Sequence, residues 1–375
     1  MTSEGERGEV ETPIFVVGAM RSGTTLMRLV LDSHENIGIA PETGIMRVVR
    51  ANKFVPFWMW GGEWYGRLGL SEEELDRELG AFYGRLLRRY ADAHGKRRWG
   101  EKTPWHAWHL DEMARLWPDA VFVATVRHPG GNVDSLVSRW HMPLERAIAH
   151  WKNVNRQLVA HSEHLGERLF VCRYEDLVLA AEPTLRELLE RLGEPWSSRV
   201  LEHDVVHRER GTAGRVEGRT RSTDAIDASR ATAWLDHVRG DVRERLETET
   251  GTMAAFFGYS FANPSALEPL PLAPGRRVAT GSDLAKRRAR FADVPGLREP
   301  PVVPAIERPL HPDDVRLRRK DRERKPEPTA GERARERRAP GPPSAPPLLA
   351  RVARRLRRLT ARVARRLRRL TARSS

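Results

Sequence analysis

The chain has 375 residues, with 65 Lys+Arg against 51 Asp+Glu and a formal net charge of +14, which taken alone points to nucleic acid or a membrane surface. The surplus is local: residues 301–375 hold 23 Lys+Arg and 8 Asp+Glu, whereas residues 1–300 hold 42 and 43, so no specific nucleic-acid partner is expected. The single cysteine, Cys172, excludes an intrachain disulfide framework, and no run of roughly 18 apolar residues offers a bilayer span.

Residues 1–12 are polar and read as a disordered N-terminus without the apolar stretch of a signal peptide; a soluble cytoplasmic protein is expected. "PIFVVGA", starting at Pro13, is a short apolar strand, and residues 24–33 carry helical periodicity through Leu26, Leu29 and Val30. "FWMWGGEWY", residues 57–65, is dense in aromatics and reads either as a lid or acceptor wall or as core. Residues 71–94 read as a helical insertion. "AVFVATV", 120–126, is a second buried strand followed by a helix over 131–140. "RLFVCRYEDL", 168–177, is a third, and its apolar context makes Cys172 a buried, inert thiol. The helix after it starts near Pro183 and stops at Gly193.

Continuous apolar strands alternating with amphipathic helices predict an α/β fold of P-loop type: a parallel β-sheet sandwiched by helices in three layers. After about residue 265 the pattern gives way to Pro, Arg and Glu. The expected organisation is a domain over 13–265, a Pro/Arg-rich linker over 266–347 and a terminal helix over 348–373.

The stretch "GAMRSGTTLMR", starting at Gly18, has the build of a phosphate-binding loop, because a strand, a glycine turn and a helix N-terminus present backbone N–H groups to an anion. Gly23 permits close approach, and Ser22, Thr24 and Thr25 add hydroxyls. The ATP-binding form of such a loop places lysine directly after the second glycine; here Thr24 stands there, and Arg21 supplies the cation from the other side. A second candidate anion site follows the 120–126 strand: Arg127, then Pro129, Gly130 and Gly131, then a helix bearing Ser135. The alternative for Arg127 is a surface arginine paired with Asp134 or Glu145. Two cationic sites at neighbouring strand ends imply a ligand with two separated phosphates.

R-S-G-T-T after a strand, with V-R-x-P and a serine eight residues past the arginine, resembles the sulfotransferases over roughly residues 13–260, and most nearly the tyrosylprotein sulfotransferases and their bacterial relatives. The resemblance implies 3′-phosphoadenosine 5′-phosphosulfate as cosubstrate and no metal. It places the 5′-phosphosulfate on the first loop, with Arg21 also catalytic, and the 3′-phosphate on Arg127 and Ser135. It implies a catalytic base at Glu42 in "PETG", 21 residues past Arg21, and a catalytic lysine at Lys102 in "EKTP". It also implies nucleotide contacts from Tyr174 in "RYEDL" and Ser222 in "RSTD". The family lysine after that serine is Ala228 here, with Arg230 as a substitute.

The implied reaction is in-line sulfuryl transfer to a small-molecule, glycan or peptide hydroxyl or phenol. Bland alternatives are a helix-capping Glu42 and a Lys102 partnered by Glu101 or Asp111 at the surface. His106 and His109 read as packing or substrate-wall residues. A P-loop nucleotide kinase and a non-catalytic nucleotide-binding scaffold for the tail are the competing functions. In the tail, "ARVARRLRRLT" occurs at 350–360 and again at 361–371. Its apolar stripe on an arginine-rich helix suits an anionic membrane surface or an acidic partner.

Overall fold

The computed structural model describes residues 12–53, 64–212, 224–270, 275–291 and 297. In its first part β1 (Ile14–Gly18) leads into α1 (Thr24–Asp32), β2 (Ile37–Ala40), α2 (Ile45–Lys53), α3 (Glu72–Ala93) and β3 (Arg98–Lys102). There follow α4 (Leu110–Leu116), β4 (Val121–Val126), α5 (Pro129–Trp140), α6 (Leu144–Ala160), α7 (Ser162–Leu165) and β5 (Leu169–Arg173). The last part holds α8 (Tyr174–Leu179), α9 (Ala181–Leu192), α10 (His203–Glu209), α11 (Gly240–Phe256), β6 (Ala279–Thr280) and α12 (Gly281–Arg290).

Among the described residues six strands form one sheet in the order β2-β3-β1-β4-β5-β6. β1 to β5 run parallel and β6 pairs antiparallel with β5. The alternation of side chains across the pleat separates two cores. Phe15, Val17, Phe122, Ala124, Leu169 and Val171 bury one face against α5, α6 and α11. Ile14, Val16, Val123, Phe170 and Cys172 bury the other against α1, α8 and α9. This is the three-layer arrangement expected for continuous apolar strands.

Several boundaries differ from expectation. The third apolar strand ends at Arg173, and Tyr174 already opens α8, because Arg173 Nε turns to Asp176 at 2.6 Å as the chain leaves the sheet. The 71–94 insertion is a 22-residue helix whose start is fixed by a reciprocal cap between Ser71 and Glu74. Gly193 ends α9 with φ 73°. The fold also runs past residue 265. β6 extends the sheet, and α12 buries Leu284 while Arg287 Nε donates to Phe256 O at 2.6 Å.

No described helix is long and apolar enough to cross a membrane. Cys172 is fully buried, and burial pushes its thiol far above its ordinary value. Residues 57–63, the segment from 301 on and the duplicated helix at 348–373 lie outside the described residues.

Candidate active site

α1 follows β1 on one face of the sheet, and α5 follows β4 on the other. The chain therefore diverges between two adjacent parallel strands, which opens a crevice at their carboxyl ends. β2, β3 and β5 end at the same edge. The expected residues therefore converge there although they are far apart in sequence.

The loop between β1 and α1 is held from outside. Met20 N–H donates to His150 Nε2 at 3.0 Å, and Met20 O accepts from Asn132 Nδ2 at 2.9 Å. That clamp supports Arg21 in the left-handed region, φ 69°. The Ser22 hydroxyl donates to Ala19 O at 2.6 Å and lies 2.9 Å from Thr125 Oγ1, wholly buried. Its one proton is committed inside the loop, so Ser22 shapes the turn rather than offering the hydroxyl donor expected of it. Gly23 has φ 99°, and a Cβ there would sit 2.5 Å from the Tyr174 ring. Both the conformation and the close approach require glycine.

Arg127 emerges from β4 between two anchors: its carbonyl accepts from Trp151 Nε1 at 2.9 Å, and the next N–H, of His128, donates to Glu175 Oε1 at 3.0 Å. Its guanidinium lies 4.4 Å over the Tyr174 ring and donates to Arg21 O and Arg230 O at 3.3 and 3.1 Å. Its Nε is buried with no partner among the described residues. The alternative pairing does not form, since Asp134 approaches His237 at 3.5 Å and Glu145 binds Arg245 at 3.0 Å. Arg21 Nε donates to Ser135 Oγ at 2.9 Å.

These groups line a cleft of about 410 Å³, together with Gly23, Thr24, Thr25 and Arg139, a volume within the usual range of small-molecule sites. Burial, then the Arg139 and Arg127 charges, hold the Arg21 guanidinium below its ordinary value. Three arginines so close make this part of the cleft strongly cationic, as an anion site would require. Arg139 was not foreseen, although it lies one helical turn beyond Ser135 on α5 and so shares its face. Arg230 and Ser229 also line the cleft, but Arg230 is bound to Asp227 and Asp224 at 3.2 Å each, which compensates the charge that was to replace the missing lysine. Ser222 lies outside the described residues.

Lys102 and Glu42 stand beside this cleft. Lys102 Nζ, 0 % exposed, donates to Glu42 Oε1 at 2.5 Å and to Thr25 Oγ1 at 3.2 Å, so the phosphate loop, the lysine and the glutamate form one chain of contacts. The surface alternative for Lys102 is excluded by its burial; Asp111 pairs instead with His161 at 2.9 Å. Thr43, not Glu42, accepts an N–H at the start of α2, from Ile45 at 3.2 Å. His106 and His109 are buried, His106 Nδ1 3.0 Å from Glu101 Oε2 and His109 Nδ1 3.1 Å from Arg50.

Residues 13–198 match the model of the sulfotransferase family. Protein-tyrosine sulfotransferase 1 of Danio rerio is 28 % identical over 285 residues, covering 71 % of this chain and 78 % of that protein. Protein-tyrosine sulfotransferase 2 of Gallus gallus is 28 % identical over 289 residues, covering 72 % and 76 %. Together these matches support a place for this chain among the sulfotransferases. Among solved structures, the sulfotransferase domain of the Synechococcus PCC 7002 olefin synthase is 20 % identical, with TM-score 0.49, covering 69 % of this chain and 99 % of that one.

The matches support sulfuryl transfer as the chemistry, and the sulfotransferase family implies 3′-phosphoadenosine 5′-phosphosulfate as cosubstrate. The residues present fit such a donor. One cationic group, Lys102, adjoins the helix N-terminus of the loop, and a separate cluster of guanidiniums includes a buried N–H with no partner among the described residues.

Proposed function

We propose that this sulfotransferase moves the sulfuryl group of 3′-phosphoadenosine 5′-phosphosulfate to the phenolic hydroxyl of a tyrosine in a peptide or protein. The observation that carries the reaction is the contact of buried Lys102 with half-exposed Glu42 beside the loop hydroxyl of Thr25. Glu42, with one side toward solvent, takes the acceptor proton as the new O–S bond forms. Lys102 and Arg21 offset the charge that gathers on the bridging and sulfuryl oxygens as the bond to the 5′-phosphate breaks. Thr24, Thr25 and the N–H groups at the start of α1 hold the 5′ end. Arg127, Ser135 and Arg139 hold the 3′-phosphate, with Tyr174 stacked beneath Arg127. The acceptor class is supported by relatives that are protein-tyrosine sulfotransferases across most of their length.

The test uses the full chain, donor labelled in its sulfuryl group, and acceptors presenting a tyrosine peptide, a glycan or a free phenol. Transfer to the peptide is expected, and Glu42→Gln should lower kcat by about 10² to 10⁴ while leaving donor affinity close to wild type. Preference for the glycan or free phenol would replace the acceptor. Unchanged kcat in Glu42→Gln would remove its role as base.

For the residues outside the described fold we propose a linker and, over 348–373, a basic amphipathic helix that rests on an anionic membrane surface or an acidic partner, with the enzyme in the cytoplasm.

A further inference from the structure

Three consecutive residues at the end of β3 hold three consecutive residues beyond the end of β2. The strands are neighbours, with Ala40 opposite Glu101. Alternation across the pleat sends Lys102 to one side of the sheet and Glu101 to the other. Lys102 Nζ donates to Glu42. Glu101 Oε1 accepts from Thr43 N at 2.8 Å and from Thr43 Oγ1 at 2.9 Å. Thr103 Oγ1 donates to Glu101 Oε1 at 2.5 Å and itself accepts from Gly44 N at 3.2 Å. The segment Glu101-Lys102-Thr103 thus grips Glu42-Thr43-Gly44 residue by residue.

A carboxylate at 0 % exposure needs a reason to be there. Burial alone would push the Glu101 carboxyl up, but His106 and the Thr103 and Thr43 donors more than offset it and hold it below its ordinary value. Its second oxygen lies 3.0 Å from His106 Nδ1, without hydrogen-bond geometry within the described residues. An ionised Glu101 accepts only, which matches the three donors directed at one oxygen. None of its contacts reaches the nucleotide cleft. Among the described residues its hydrogen-bond donors belong to Thr43, the neighbour of Glu42, or to Thr103, the neighbour of Lys102.

We propose that Glu101 is a positioning residue for sulfuryl transfer: it ties down Thr43 so that Glu42 is presented to Lys102 and to the acceptor at the sheet edge. The proposal rests on the reading of Glu42 as base. It separates two functions of one strand end, Lys102 acting on the reacting groups and Glu101 acting on the geometry of the base. Misplacement of about 1 Å in such a group lowers turnover about 100-fold.

The experiment is a double-mutant cycle on the full chain, reading kcat, the KM for donor and acceptor, and calorimetric affinity for 3′-phosphoadenosine 5′-phosphate. Glu101→Ala should lower kcat by about 30- to 100-fold, with nucleotide affinity within about threefold of wild type. Glu101→Gln, which keeps an acceptor oxygen for Thr43, should recover most of that loss. In a Glu42→Gln background, Glu101→Ala should cost less than about threefold, because the two act through one group. An equal cost in both backgrounds overturns the positioning role while leaving Glu42 as base. Wild-type kcat in Glu42→Gln overturns the reading beneath the proposal. Should Glu101→Ala fail to fold, Thr43→Val with Thr103→Val removes two donors and leaves the carboxylate. It should lower kcat with nucleotide affinity unchanged, and a parallel fall in both overturns the proposal.

Discussion

Lys102 Nζ lies 2.5 Å from Glu42 Oε1, and the two ends of this contact stand in different surroundings: the lysine is 0 % exposed and the glutamate 40 %. The buried end is fixed by the sheet and by Thr25. The other end is partly exposed to solvent. Lys102→Met, similar in length and without charge, should therefore fold and bind nucleotide within about tenfold of wild type. It should lose about 100-fold or more in kcat, the scale of removing one group that stabilises developing charge. Steady-state turnover beside nucleotide calorimetry checks this, and turnover near wild type would make the contact structural only.

Gly23 combines φ 99° with the Tyr174 ring 2.5 Å from where a Cβ would stand. Gly23→Ala should lower stability by more than about 1 kcal/mol and weaken nucleotide binding together, since ring and loop both line the cleft. Gly193→Asn is the control, because Gly193 has φ 73° with open space around its Cβ position and caps α9 far from the site. Urea denaturation and calorimetry on both variants give the comparison; equal behaviour would contradict the reading.

Stability should fall on the acid side of neutrality. Burial pushes His128 down to about 3, with Arg127 adding to it, and burial pushes His150 and His207 down to about 4. In the unfolded chain each histidine takes its proton near 6.5. Between these values the unfolded state binds more protons, so this stability is complete above about pH 6.5 and is lost as pH falls toward 3. His128, which is 1 % exposed, alone should cost about 2 kcal/mol by pH 5. His150 accepts from Met20 N–H only while neutral, so loosening of the loop should accompany the loss. Denaturant unfolding at pH 7.5 and pH 5 measures it, and an unchanged free energy would contradict it.

Chain truncation distinguishes fold from tail. Ending the chain after residue 300 keeps α12 and its contacts with Phe256 and Ala255. Turnover and thermal midpoint should then match the full chain, while binding to anionic vesicles should disappear. Ending it after residue 265 removes β6 and the buried Leu284, and the midpoint should fall by many degrees. A fully stable 1–265 fragment would show that α12 adds nothing to the fold.

The parts legible in the sequence were those whose physics is local. β1, β4 and β5 are covered on both faces and read as apolar runs, and Gly23 and Gly193 mark backbone conformations that few other residues adopt. β3 was not legible as a strand because Arg98, Glu101 and Lys102 make it look polar. Each is satisfied by a distant partner: Arg98 Nε by Thr12 O at 2.6 Å, Glu101 by Thr43, Lys102 by Glu42. β2 and β6 are too short to carry a period. Arg139 needed only the helical repeat from Ser135, whereas nothing near Met20 in the sequence announces His150, 130 residues away. The commitment of the Ser22 proton to Ala19 O depends on the turn itself and has no sequence signature.

The most direct measurement compares, by calorimetry, the binding of 3′-phosphoadenosine 5′-phosphate, adenosine 5′-phosphate and ATP with Mg²⁺ to wild type and to Arg127→Ala. The bisphosphate should bind best. Loss of its 3′-phosphate should cost about 10- to 100-fold, the scale of one or two charge-assisted hydrogen bonds. Arg127→Ala should cost the same for the bisphosphate and little for the monophosphate. Equal binding of the two adenosine nucleotides, or a preference for ATP with Mg²⁺, would contradict the assignment of the cleft to the sulfuryl donor.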